Sequence, residues 1–290
     1  MKYIKAILFS ISLVLTLGSC TERRLSIRPA DGPLRINFVW PDGSDGTPVE
    51  VQGAHLWLYG SDGTLYAAEQ TGAEGYEARV PADTYIAIVV NDGCENAGYH
   101  GEESSSSCCM AAEDDAAHAG YLMQVDRVYC TGIGDITVNR GNVATEVTMY
   151  PENVVKYITF DIDPNYLDDI EQMQISMTGV VPSVYTMTGA YTSEPSGSVL
   201  ADTQEQTDGH FSGYMSVFGW DGSSTVTADI VFEGGETGTT IPVDISDELD
   251  GLPEEGGTVG VTLELENGGS ISLTVTVTPW RTGTGGGIAG

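Results

Sequence analysis

Apolar and polar residues alternate with a period of two through most of the chain, which is the pattern of half-buried β-strands. The run 34–40 places four apolar side chains on one face, and the run 84–90 predicts a more fully buried strand. Asp62-Gly63 separates two further runs and favours a hairpin, because a type I′ turn requires positive φ angles at its central residues. Short strands with turn signals at intervals of about 8–12 residues predict an all-β chain of β-sandwiches.

The strand runs fall into two series, each of ordinary domain size. We predict an N-terminal β-sandwich over 34–151, a C-terminal β-sandwich over 152–282 and a glycine-rich tail over 283–290. An insertion at 94–130 interrupts the first series with a polar loop that contains four consecutive serines. Its alanine-rich stretch Cys109–His118 predicts a short helix.

Residues 1–19 have the order of a secretory signal peptide: two lysines, an apolar run at 6–17 and two small residues. The run is shorter than the roughly 20 residues that a membrane-spanning helix needs. Cys20 follows directly, as in a bacterial lipobox, where the cysteine receives a diacylglycerol thioether before cleavage. We predict that Cys20 is the lipidated first residue of the mature protein and that 20–33 is a tether. The alternative is an ordinary signal peptide with an incidental cysteine.

The charge of the chain is strongly negative, with 42 acidic and 11 basic residues and a formal net charge of −31. Nucleic-acid binding depends on Lys and Arg that neutralise phosphates, so this class of function is excluded. The same charge repels anionic lipid surfaces, which leaves acyl chains as the link to a membrane. We predict an outer-membrane lipoprotein on the cell-surface or the periplasmic face.

The sequence contains none of the local motifs that carry common enzyme chemistry. There is no nucleophile elbow, no phosphate-binding glycine loop and no zinc-protease helix motif. Paired carboxylates are abundant, but acid–base catalysis needs one of them held in an apolar pocket. We therefore predict a protein that is not an enzyme and that needs no cofactor or metal, with a hydrolase as the weakest alternative.

Four cysteines other than Cys20 lie in the insertion, namely Cys94, Cys108, Cys109 and Cys130. An exported protein meets an oxidising compartment, and an even number of cysteines is compatible with disulfides. We predict two bridges, in which Cys108 and Cys109 each bond to Cys94 or Cys130. Free thiols in an anaerobic setting are one alternative, and a zinc site completed by His100 and His118 is another.

Two further kinds of ligand site remain weaker interpretations. The spacing of Asp161, Asp163 and Asn165 resembles the start of a calcium loop, but Tyr166 and Gln172 replace the glycine and glutamate that such a loop requires.

Tryptophans in the strands offer aromatic faces on which a sugar could stack, and Trp57 and Trp220 are the candidates for glycan binding. The alternative is that both side chains belong to the core.

The whole arrangement resembles the fimbrillin superfamily of type V pilus proteins and their lipoprotein anchors from gut and oral anaerobes. The resemblance rests on the lipobox at Cys20, the opening strand Leu34–Trp40, the runs Ile175–Gly179 and Ser216–Trp220, and the end at Pro279-Trp280. The second-domain runs are similar to those of an anchor-like group of otherwise unknown function. The resemblance implies two tandem transthyretin-like or Ig-like β-sandwiches.

In that superfamily, subunits assemble when a strand of one completes a sheet of another, which is β-augmentation. The resemblance thus implies a lipid-anchored structural or adhesive protein, a fimbrial anchor or accessory subunit whose partners are other fimbrial subunits. The alternative function is a surface glycan-binding lipoprotein of a polysaccharide-uptake system.

Overall fold

The computed structural model describes residues 31–42, 49–165, 167, 169–253, 256–265 and 271–278, without the side chains of residues 265 and 275–278. The predicted signal peptide, Cys20, residues 20–30 of the tether and the tail at 283–290 lie outside these residues, as does Pro279-Trp280.

The first domain contains ten strands: β1 Asp31–Phe38, β2 Gly53–Gly60, β3 Leu65–Gly72, β4 Gly75–Pro81, β5 Thr84–Asn91, β6 Ala97–His100, β7 Cys109–Ala112, β8 Tyr129–Thr137, β9 Thr145–Met149 and β10 Glu152–Asn153. The second domain contains the other ten strands and one short helix: β11 Lys156–Asp163, β12 Ile170–Val180, β13 Ser183–Tyr185, β14 Gly197–Glu205, β15 Phe211–Val217, β16 Thr225–Phe232, β17 Thr237–Thr239, β18 Val243–Asp244, α1 Ser246–Asp250, β19 Gly256–Leu265 and β20 Ile271–Thr278. The protein is therefore all-β with two domains, as predicted.

The main sheet of the first domain has the strand order β10-β8-β5-β2-β3-β4-β1-β9. It folds into two layers at the β3–β4 hairpin, where Gly72 and Gly75 form the only residue pair between the two strands. Gly75 has a φ of 142°, and a Cβ atom there would collide with the carbonyl of Ile36, so the corner requires glycine. The alternating apolar residues of β1 and β2 meet between the layers and form the first core, with Leu34 and Leu56 fully buried.

The second domain repeats the topology of the first. Its order is β17-β16-β12-β14-β15-β11-β19-β20, in which β14 bends from one layer into the other. The opening strand of each domain has an antiparallel neighbour and a parallel one. These neighbours are β4 and β9 for β1, and β15 and β19 for β11. The second core lies between its layers and includes Phe160, Met177 and Met215.

The predicted helix at Cys109–His118 is wrong. Cys109–Ala112 is strand β7, which lies between β6 and β13 in a separate three-stranded sheet. Helix propensity is a weak preference even for alanine, the best helix former, and these two partner strands satisfy the backbone of the segment instead. Because β13 belongs to the second domain, the insertion contributes to a sheet that both domains share.

Candidate functional site

Strand β9 is an edge strand of the first domain. Its inner side pairs in parallel with β1, in a register that places Ile36 opposite Val147 and Phe38 opposite Met149. Within the part of the chain that the structure describes, no strand pairs with its outer side. An unpaired strand edge offers backbone N–H and C=O groups to a further strand.

The backbone groups on the open side of β9 can be identified from one hydrogen bond. The amide of Val39 donates to the carbonyl of Met149 at 3.0 Å, so Met149 faces β1. Because backbone groups alternate between the two sides of a strand, Val147 also faces β1, whereas Glu146 and Thr148 face outward. These two residues present the polar backbone groups that a partner strand would use.

Arg35 holds β9 in place across β1. Its guanidinium donates to Glu77 on β4 at 3.2 Å and to Glu146 on β9 at 3.1 Å. All three side chains are exposed, so the network adds orientation more than stability, because such pairs contribute about 0–1 kcal/mol each.

In the second domain, an antiparallel strand occupies the position that corresponds to the outer side of β9. The outer side of β19, the equivalent of β9, pairs antiparallel with β20 over eight residue pairs, from Thr258 with Thr278 to Leu265 with Ile271. The first domain has no counterpart of β20 among the residues described. The two domains therefore differ at this edge, where β20 covers β19 and no described strand covers β9.

A third apolar cluster joins the two domains. It contains Trp57 and Val90 of the first domain, Met110 of the insertion, and Val184 and Phe218 of the second domain, all 2% exposed or less. A continuous core of this kind resists relative motion, because interdomain movement would expose apolar surface.

The insertion also crosses the junction with hydrogen bonds. The amide of Val125 donates to the carbonyl of Ser216 at 3.1 Å, and the amide of Leu122 donates to Ser198 at 2.7 Å. The Gln124 side chain donates to the carbonyl of Leu200 at 2.8 Å and accepts from the amide of Ser216 at 3.2 Å. The insertion is thus the connection that fixes the domains to each other.

The four cysteines of the insertion are free thiols in the structure, which contains neither of the two predicted bridges. Cys108 and Cys130 are buried in the junction cluster, and Cys94 packs against it. Burial raises the pKa of Cys130 and of Cys94 to about 12 in each case, so both are protonated at neutral pH. Apolar packing in the junction cluster, and not disulfide bonding, explains why these cysteines are buried.

Within the described ranges, no three His, Cys, Asp or Glu residues come together as metal ligands. These residues therefore contain no site for the zinc or the calcium ion considered from the sequence. His118 instead pairs with Asp115, at 2.8 Å between Nδ1 and Oδ2. Asp161 pairs with His210 at 3.0 Å.

The two tryptophans that the sequence predicts as glycan platforms, Trp57 and Trp220, differ in their exposure to solvent. Trp57 is only 2% exposed and its indole nitrogen donates to Glu102 at 3.1 Å, so the expectation of a sugar platform there is corrected. The insertion covers its ring, with Tyr99 at 4.9 Å between centroids. Trp220 is half-buried against the second core and carries the ammonium of Lys156 4.9 Å from its ring centroid.

No helix in the described part of the chain has the length and apolar composition needed to span a membrane. The lipidation predicted at Cys20 concerns a residue outside that part.

Comparison with solved structures identifies the fold class as that of fimbrial and adhesin-like β proteins. A candidate adhesin from Bacteroides ovatus is 15% identical, with a TM-score of 0.66 over 90% of this chain and 99% of that chain. The fimbrial anchor protein Mfa2 from Porphyromonas gingivalis is 10% identical, with a TM-score of 0.58 over 86% of this chain and 98% of that chain. A candidate polysaccharide-binding protein from Bacteroides thetaiotaomicron is 9% identical, with a TM-score of 0.56 over 84% and 97%.

The family follows from the sequence itself. Residues 19–200 match the family model described as Domain of unknown function (DUF5119), and the chain belongs to that family. No curated protein matches the sequence. At these identities the solved structures show the fold, and at that level they confirm the resemblance to fimbrillin-like proteins.

Proposed function

We propose that this protein is a lipid-anchored cell-surface component of fimbriae, joined to a partner subunit by a strand that pairs with the outer side of β9. The observation that carries the proposal is the open edge of β9, at the position that β20 fills in the second domain. The structural similarity to Mfa2, a fimbrial anchor protein, supports the same role.

Anchoring depends on Cys20 in this proposal. A diacyl thioether, usually with a third acyl chain on the new amino group, supplies the two or more chains that stable membrane attachment requires. The apolar cluster that both domains share then makes them one stiff unit between the membrane and the partner subunit. A role of this kind requires no catalytic group.

A single backbone substitution tests the strand addition. Thr148→Pro removes an N–H group on the open side of β9 and leaves every hydrogen bond to β1 in place, since proline is tolerated where its nitrogen faces away from the sheet. Val147→Pro is the matched control, because it removes an N–H group that faces β1. We expect Thr148→Pro to keep the thermal stability of the wild type, and Val147→Pro to lower it.

The functional readout is the amount of tagged full-length protein recovered in purified filaments when it is expressed with its genomic neighbours. We expect Thr148→Pro to lower this amount by about tenfold, which corresponds to ~1.4 kcal/mol of lost pairing. Cys20→Ala should move the protein from the membrane fraction to the medium with its fold intact. Wild-type protein that is absent from filaments, or Thr148→Pro protein that assembles normally, would contradict strand addition at β9.

Polysaccharide binding is the second candidate function. The structural similarity to the candidate polysaccharide-binding protein from Bacteroides thetaiotaomicron favours it. Since Trp57 is buried, this function depends on Trp220 or on another aromatic side chain at the surface.

A further inference from the structure

Two tyrosines stack on each other on the outside of the second domain. Tyr157 on β11 and Tyr214 on β15 have ring centroids 5.9 Å apart and ring planes inclined by only 21°. Tyr214 is 50% exposed, although both residues lie on strands whose opposite faces are fully buried. Tyr157 is half-buried and packs against the third apolar cluster, so the ring of Tyr214 is the one that faces the solvent as a platform.

An acidic and a basic side chain stand beside this platform. The bond from Val125 to Ser216 fixes the insertion against β15, and Asp126 and Arg127 follow directly. Burial raises the pKa of Tyr214, Asp126 raises it further, and Arg127 lowers it, in agreement with this placement. The two side chains are 51% and 62% exposed and contact each other at 3.8 Å, which leaves most of their hydrogen-bonding capacity for a ligand.

The remainder of this face is polar and includes Asp161, which lies opposite Ser212 and pairs with His210. Thr159 lies opposite Tyr214 on β11, and Ser212 and Thr258 continue the face on the neighbouring strands. The core of a protein interface is usually richer in apolar area than this face. A narrow aromatic platform with polar surroundings fits a ligand that alternates apolar patches and hydroxyl groups.

We propose that Tyr157, Tyr214, Asp126 and Arg127 form a binding site for a neutral hexopyranose polysaccharide. The C–H face of a pyranose ring stacks on the exposed ring of Tyr214, which Tyr157 supports, while its hydroxyl groups donate to Asp126 and accept from Arg127. The ligand is neutral because the flanking charges balance each other and the chain, at a net charge of −31, repels polyanions. The inference rests on the second candidate function and is independent of strand addition at β9.

Affinity gel electrophoresis of the detergent-solubilised full-length protein tests the site. The gels contain α-mannan, dextran or β-1,3-glucan, and carboxymethylated β-1,3-glucan serves as the anionic comparison. We expect at least one neutral polymer to retard the wild type, Tyr214→Phe to keep this retardation, and Tyr214→Ala and Arg127→Ala to lose it. Tyr66→Ala is the matched control, because Tyr66 is also exposed (47%) and packs on another tyrosine, but lies in the first domain.

The possible outcomes distinguish failure of the proposed site at Tyr214 from failure of polysaccharide binding as a function. If none of the three neutral polymers retards the wild type, both the site and the second candidate function are overturned. Retardation that survives in Tyr214→Ala, or that Tyr66→Ala weakens equally, overturns the site and leaves polysaccharide binding elsewhere on the protein. A Tyr214→Ala protein that keeps its retardation and loses filament association assigns this face to a protein partner instead.

Discussion

Gly132 of β8 packs directly against Met187 in the second domain. A Cβ atom on Gly132 would lie 2.5 Å from Cγ and 2.9 Å from the Cα atom of Met187. The two domains therefore approach at a point where one of them has no side chain, and the third apolar cluster closes around this contact.

This contact predicts that even one methyl group separates the domains. We expect Gly132→Ala to lower the free energy of unfolding by about 1–3 kcal/mol, the usual cost of overpacking a close contact. Urea denaturation followed by circular dichroism measures the change. Gly134→Ala is the matched control on the same strand, because a Cβ atom there has no neighbour within 4 Å. Equal stabilities of the two variants would contradict the tight junction.

Local signals in the sequence predict the strands well. Alternation over 34–40 corresponds to β1, and Asp62-Gly63 lies in the turn between β2 and β3. Only Gly63 has a positive φ, so this turn is not the predicted type I′ turn. These elements depend on neighbouring residues alone, since a period of two and a turn that needs positive φ angles are both local properties. The all-β fold class was predictable for the same reason.

The candidate site was less predictable because it depends on partners distant in the chain. The local sequence of Cys109–Ala112 predicts a helix, but β13 pairs with this segment, and β13 lies more than 70 residues later in the chain. The open side of β9 is visible only from the strand order. The aromatic platform at Tyr214 was missed, although the alternation of β15 places this residue on its outward face.

The burial of Trp57 leads to a prediction about stability. We expect Trp57→Ala to lower the free energy of unfolding by about 3–5 kcal/mol, because it opens a cavity in the junction and leaves Glu102 without a partner. Tyr66→Ala, at an exposed ring on the adjacent strand β3, should change it by no more than ~0.5 kcal/mol. Chemical denaturation compares the two variants, and similar losses for both would show that Trp57 is not a core residue.

The free thiols lead to a prediction about reduction and reactivity. Addition of a reducing agent should leave the thermal midpoint unchanged, whereas the loss of a disulfide worth about 2–4 kcal/mol would lower it by several degrees. A thiol reagent at pH 8 should modify Cys108 and Cys130 only after unfolding, because both are buried and burial raises their pKa values. A reduction-sensitive midpoint would restore the disulfide prediction.

The pair of His210 and Asp161 leads to a prediction about pH. Nδ1 of His210 lies 3.0 Å from Oδ1 of Asp161, and this hydrogen bond, together with the carboxylates of Asp161, Asp208 and Asp163, raises the pKa of the imidazole above its ordinary 6.5. The folded protein therefore holds the proton more tightly than the unfolded chain. The pair stabilises the fold fully below pH 6.5, and this contribution is lost as the pH rises through the folded pKa. Titration of the His210 ring protons by NMR should give a midpoint above 6.5 that falls in Asp161→Asn. A His210 midpoint unmoved by Asp161→Asn would contradict the pairing.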